Sequence, residues 1–231
     1  MSEVLVLGDG LLGSELVKQT GWEYVSRKKN QKGLYSLLPI VLFHDANIIV
    51  NCIANTDTYS NDKDSMMEVN YKFVVELVDE LNSVGNKKLV HISTDYVYSN
   101  SIQYAKESDV PSHNATWYGY SKILADGYIE NFSNDYLICR MTHKPNPFPY
   151  DKAWRNQIGN FDYVDKQVKR LVELIKSDAT GVVNVGGEAI SMYELAKETN
   201  KSVEWNECDY PVPNVVTMNI DKMKDIINES N

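Results

Sequence analysis

The sequence predicts an α/β protein built on a doubly wound parallel sheet. Three observations carry that expectation. Short apolar runs such as EVLVL, ANIIVN and LVHIS alternate with longer stretches whose apolar residues recur at helical spacing. The first run leads directly into Gly8-Asp9-Gly10-Leu11-Leu12-Gly13, a turn rich in glycine that opens a helical pattern. A central run ends in the hydroxyls Ser93 and Thr94, and open sheets of this class carry their sites at strand carboxyl ends.

Composition sets the outer bounds. A chain of 231 residues holds one α/β domain with a sizeable core and a small appendage. Its net charge of −9 and pI near 5.0 argue against non-specific nucleic-acid binding, which needs a basic face. They leave room for an anionic small molecule in a locally positive pocket. Cys52, Cys139 and Cys208 are widely spaced and unpaired in pattern, which reads as reduced thiols in a reducing compartment. The histidines are isolated, so no metal site is expected. MSEVLVLGDG lacks a basic leader and reads as a first strand, not a signal peptide. No apolar stretch approaches the ~20 residues of a membrane span. We therefore expect a soluble, cytoplasmic protein without membrane or nucleic-acid partners.

Taken in order, Glu3–Leu7 is the first strand, and Leu11, Leu12, Leu16 and Val17 begin the first helix. In this context the glycines have separate tasks. Gly8 allows the tight turn, Gly10 lets backbone approach a pyrophosphate, and Gly13 packs helix on strand. The backbone at Leu11 and Leu12 adds the free N–H groups and positive dipole of a helix start. An ordinary strand-to-helix turn is the plainer alternative. Glu23–Ser26 is the second strand, followed by Arg27-Lys28-Lys29 with no carboxylate nearby in sequence. A guanidinium suits a 2′-phosphate, so Ser26 and Arg27 point to NADP(H), with NAD(H) as the alternative. A solvated basic loop would look the same.

Ala46–Asn51 is the third strand, and Ser65–Val84 reads as a strongly amphipathic helix. The next strand carries Leu89-Val90-His91-Ile92, ending in Ser93-Thr94-Asp95. A polar loop broken by Pro111 follows, and a helix is expected from Thr116 to about Phe132. On that helix Tyr118 and Lys122 stand one above the other. A phenol is a poor acid near neutral pH, with an unperturbed pKa of about 10, and a nearby ammonium favours its phenolate. A hydroxyl such as Thr94, aimed at the same point, would hold a carbonyl oxygen while Tyr118 moves the proton. Tyr136–Cys139 is a further strand ending at Arg140-Met141-Thr142. Pro145–Gly159 reads as an irregular loop in which Lys152, Trp154 and Arg155 offer diphosphate and base contacts by composition alone. Asp165 is expected to cap a helix, Gly181–Gly187 to form a late strand, and Ser191 with Glu194 to form a capping box.

The strings Ser93-Thr94-Asp95-Tyr96-Val97-Tyr98 and Tyr118-Gly119-Tyr120-Ser121-Lys122, at this separation, resemble the short-chain dehydrogenase/reductase superfamily. Within it they are similar to the extended dTDP-4-dehydrorhamnose reductase family. The resemblance is densest over residues 1–142 and thinner beyond. It implies a dinucleotide-binding Rossmann core over 1–142. Residues 143–231 would form a small, abbreviated substrate lobe that returns a late strand to the sheet.

It also implies a catalytic set of Thr94, Tyr118 and Lys122, with Tyr118 and Lys122 serving the cofactor as well. Cys52, Ala54 and Ser93 would line the nicotinamide side, although packing explains Ala54 equally. Asp95, Tyr96, Thr142 and His143 would face substrate, with His143 and Lys144 as a general acid or phosphate contact, or as a surface pair with no role. Asn70 matches the superfamily's structural asparagine, or is a solvated helix residue. The implied activity is NADPH-dependent reduction of the 4-keto group of a nucleotide-diphosphate deoxysugar, as in rhamnose and related carbohydrate biosynthesis. Tyr96 stands where dehydratases carry Glu, and no cysteine adjoins Thr94 as in fucose-synthase epimerases, so neither of those reactions is expected. The shortened lobe admits a second role, a non-catalytic NADP-binding regulatory subunit like the β subunit of methionine adenosyltransferase. A homodimer is the expected assembly if that lobe borrows a partner chain.

Overall fold

The computed structural model describes residues 3–98, 103–109, 111, 116–210 and 212–229. Half of the loop expected over Ser99–Thr116 lies outside them. The chain packs as two compact units, Met1–Ser93 with Trp117–Ile138, and Thr94–Thr116 with Cys139–Asn231.

The first unit starts with β1 (Val4–Leu7), wholly buried, then α1 (Leu11–Thr20) and β2 (Glu23–Val25). The basic run is not an open loop. Arg27–Asn30 forms α2, a single turn whose Lys29 N–H is capped by the Ser26 hydroxyl. Next come α3 (Leu38–Phe43) and β3 (Ile48–Asn51). The helix expected over Ser65–Val84 is three pieces, α4 (Lys63–Met67), a π turn (Glu68–Lys72) and α5 (Phe73–Val84). β4 (Lys88–Ser93), α6 (Trp117–Phe132) and the first half of β5 (Tyr136–Met141) complete it.

Strands run in the order β2-β1-β3-β4-β5, and β1 pairs in parallel with both β2 and β3, as β3 does with β4. The winding therefore reverses beside β1. The carboxyl ends of β1 and β3 flank this reversal, where sheets of this class open a crevice. The helices flank a mostly parallel sheet, as the continuous apolar runs predict. α5 buries Phe73, Val74, Leu77, Val78 and Leu81, the three-and-four spacing of an amphipathic face.

In the second unit the rest of β5 lies beside β8 (Gly181–Val185). Arg140, 1% exposed, donates to the Tyr98 hydroxyl at 2.9 Å, which donates to Asn184 Oδ1 at 2.8 Å. Asn184 in turn donates to Ala105 O and Asn219 O. A buried guanidinium needs such acceptors nearby.

Residues 145–159 are less irregular than expected. β6 (Lys152–Trp154) and β7 (Ile158–Gly159) sit within them, pairing with β10 (Glu204–Asn206) and β11 (Val215–Val216), and β7 also with β9 (Ile190–Ser191). α7 (Val164–Lys176) begins before Asp165, which therefore lies in its first turn and accepts from Asn146 instead of capping. The Ser191–Glu194 capping box opens α8 (Met192–Thr199) as expected, and α9 (Asp221–Glu229) ends the described chain. No helix among the described residues is long and apolar enough to cross a membrane.

Phe73 is fully buried, whereas Phe43 is 87% exposed. Phe73→Ala is expected to cost about 3–5 kcal/mol in denaturant unfolding, and Phe43→Ala about 0.5 kcal/mol or less.

Candidate active site

The glycine turn after β1 is defined by close approach. Gly8 has φ +100°, and a Cβ there would meet Ile53 Cγ1 at 3.0 Å. Gly13 has no room for one at all, since its Cβ would fall 2.2 Å from the Gly8 carbonyl oxygen. Gly10 differs, with nothing within 4 Å of its would-be Cβ. It stands at the N-cap of α1, where no side chain caps the helix and no acid occupies the first turn. The turn is thus tight underneath and open on top, with the N–H groups at Leu11 and Leu12 at the helix start.

A carboxylate does reach the end of β2, from this turn. Asp9 Oδ2 accepts from the Ser26 hydroxyl at 2.9 Å, and that hydroxyl accepts from Lys29 N–H at 2.9 Å. Ser26 is 1% exposed and committed within the fold, while Arg27 is exposed. Sequence distance concealed this contact.

Lys122 is 1% exposed on α6, one turn from the half-buried Tyr118. Its Nζ donates to Ile92 O at 2.7 Å and lies 2.9 Å from His91 Nε2. Burial lowers the Lys122 pKa to about 8 against the pull of Asp126 and Cys52. Burial, then the Lys122 charge, holds His91 well below the usual histidine range. His91 was not singled out from the sequence, where it is one apolar-strand histidine among isolated ones.

Beside it on β3, Asn51 is the register partner of His91. The Cys52 thiol is pushed up to about 12 by burial, so it stays protonated at neutral pH. Ala54 is half-buried. Ser93, at the end of β4, is 3% exposed, and its Oγ has no hydrogen-bond partner among the described residues.

Asn70 is 1% exposed in the π turn and is not a solvated residue. Its Oδ1 accepts from Asn55 N–H at 2.7 Å, and its Nδ2 donates to Asn55 O and to Ser121 Oγ, next to Lys122. A π turn often marks a functional position in a helix.

In the second unit, Thr94 is 3% exposed, donates to Asp95 Oδ1 at 3.1 Å and accepts from Tyr96 N–H. Burial raises Asp95 to about 6, opposed by the Thr94 bond and the Lys144 charge, and Asp95 Oδ2 has no partner among the described residues. The Tyr96 hydroxyl accepts from Gln157 Nε2 at 3.1 Å, and Thr142 O from Gln167 Nε2 at 2.8 Å. Burial, then Lys144, lowers His143 to about 4. It is neutral at pH 7 and brings no charge to a phosphate. Arg155 pairs with Glu207 and lies over the Trp205 ring, while Trp154 packs against Tyr210.

Comparison with known proteins adds an independent finding. The family model described as RmlD substrate binding domain matches residues 1–143, more than half of the chain. A curated relative, the spore coat polysaccharide biosynthesis protein SpsK of Bacillus subtilis (strain 168), is 28% identical over 221 residues, covering 85% of this chain and 77% of that protein. A dTDP-4-dehydrorhamnose reductase from Clostridium acetobutylicum has a similar structure, with TM-score 0.81 and 19% identity over 96% of this chain and 91% of that one. So has the Bacillus anthracis dTDP-4-dehydrorhamnose reductase solved with NADP, with TM-score 0.80 and 20% identity over 97% and 91%. At these identities the solved structures speak to fold.

The glycine geometry gives a direct test. Gly13→Ala should lower the unfolding midpoint sharply because the clash is with backbone, whereas Gly10→Ala should cost about 1 kcal/mol or less. Thermal unfolding of the two variants measures the difference.

Proposed function

The chain belongs to the RmlD substrate binding domain family, and from that premise we propose a reductase of sugar nucleotides. Its reaction is the NADPH-dependent reduction of the 4-keto group of a nucleotide-linked deoxysugar. The observation that carries this reading is Lys122, buried one helical turn from Tyr118 with its amine held by Ile92 O and His91.

The residues present fit a dinucleotide. The uncapped start of α1 with the open side of Gly10 suits a pyrophosphate, and Arg27 suits a 2′-phosphate. The buried Ser93 hydroxyl, partnerless among the described residues, suits a polar group of the cofactor. Cys52 and Ala54 would lie along the same side. A bound nicotinamide supplies the hydride. The chain's own residues position the ketone and handle its proton.

Thr94 Oγ1 would turn from Asp95 to donate to the ketone oxygen. Tyr118 would protonate the oxygen as it becomes an alkoxide, and the Lys122 ammonium would favour the resulting phenolate. Residues 143–231, His143 among them, would carry substrate recognition, with Asp95, Tyr96 and Thr142 also facing the sugar nucleotide. His143 would act as a neutral contact.

The test is loss of NADPH absorbance on adding a panel of dTDP- and UDP-4-keto-6-deoxy sugars. Turnover is expected with at least one, and Tyr118→Phe or Thr94→Val should lower kcat ~10²- to 10⁴-fold, with dinucleotide affinity kept in Thr94→Val. Dinucleotide binding without turnover across the panel would overturn the enzymatic reading in favour of a regulatory subunit. In a separate titration, Arg27→Ala should weaken NADPH about tenfold, the loss of one charge-assisted contact, and leave NADH nearly unchanged.

A further inference from the structure

Around Lys122 the hydrogen-bond partners conflict unless two side chains change state together. Asn51, His91 and Lys122 are each 0–1% exposed, so water does not complete their bonds. Asn51 Oδ1 accepts from Ile53 N–H at 3.1 Å, which assigns the orientation of its amide and turns the NH₂ toward His91 Nδ1, 3.3 Å away. A neutral imidazole has one N–H and one lone pair. With an amide donor facing Nδ1, the ring is satisfied when Nδ1 accepts and the hydrogen sits on Nε2. That hydrogen then points at Lys122 Nζ, 2.9 Å away, which must offer a lone pair and so be an amine. If Lys122 is an ammonium, Nε2 must accept, the ring hydrogen moves to Nδ1, and it faces the Asn51 NH₂ donor against donor. The bond from Nζ to Ile92 O survives in both arrangements.

We propose that His91 is a positioning residue for Lys122, and that the two titrate as one unit in which His91 changes tautomer whenever Lys122 gains or loses its proton. The two states differ by one proton, taken from or released to solvent, and the ring stays neutral in both. Asn51 favours the amine state, so this trio keeps Lys122 ready to lose a proton. Burial acts in the same sense, bringing Lys122 to about 8 and holding His91 far below its ordinary value. The other groups facing Lys122 are Cys52 beyond β3, a protonated thiol, and Asp126 on α6, which pulls toward the ammonium. The catalytic meaning rests on the reading of Lys122 as the partner of Tyr118, but the coupling does not. It is measured without substrate or cofactor, so its failure and the failure of that reading are separate results.

The experiment is an NMR pH titration of the whole chain, labelled with ¹⁵N in histidine rings and ¹³C at lysine Cε, the signals assigned through bonds. In the wild type, His91 should carry its proton on Nε2 above the Lys122 midpoint and on Nδ1 below it, with the same midpoint at both nuclei. His91→Gln supplies an amide oxygen able to accept from an ammonium at any pH. It should raise the Lys122 midpoint by about one pH unit or more. One tautomer held across the Lys122 titration, or an imidazolium forming near the ordinary histidine value, would overturn the proposal. So would an unmoved Lys122 midpoint in His91→Gln. Should that variant fail to fold, the wild-type tautomer record decides alone.

Discussion

A lysine taken out of water costs several kcal/mol unless its ammonium meets good acceptors, and the first unit is arranged around one such residue. Lys122 projects from α6 onto the end of β4, where its Nζ donates to Ile92 O and lies 2.9 Å from His91 Nε2. The pairing of β3 and β4 sets Asn51 opposite His91, the other neighbour of that ring. The position of Lys122 depends also on α6 being held in place along its axis. Asn70 in the π turn does this by bonding Ser121, the residue before Lys122, and clasping Asn55 with its other groups. The π turn in one helix thus serves the placement of another.

The same economy governs the glycine turn. Gly13 lies so close to the Gly8 carbonyl that side chains are excluded beneath the turn, yet Gly10 faces open space above it. Tightness on one side leaves an uncapped helix start on the other, which is where a pyrophosphate would gain most from dipole and N–H groups. Asp9 ties the turn to the Ser26 cap of α2. The end of β2 is thereby built as a braced corner, with Arg27 on its exposed side.

Burial also sorts the charges in the second unit. Asp95 and Lys144 are each pushed toward neutrality by burial and each drawn back by the other, and burial with the Lys144 charge keeps His143 neutral. Of a cluster that reads in sequence as acid, base and cation, the base is uncharged at neutral pH once packed. Arg155 likewise meets Glu207 and Trp205 at home.

Sequence by itself determined whatever depends on neighbours in the chain. The strand, glycine turn and helix at the start, the Ser191 capping box, and the common face of Tyr118 and Lys122 are all set by short-range periodicity and backbone preference. Only the tertiary structure decided that Asp9 meets Ser26, that His91 lies beside Lys122, that the long amphipathic helix breaks into a π turn at Asn70, and that Asp165 falls inside α7. Each of these turns on strand register or on contacts between residues distant in sequence. A periodic pattern names which face is buried, but not which partner it will meet there.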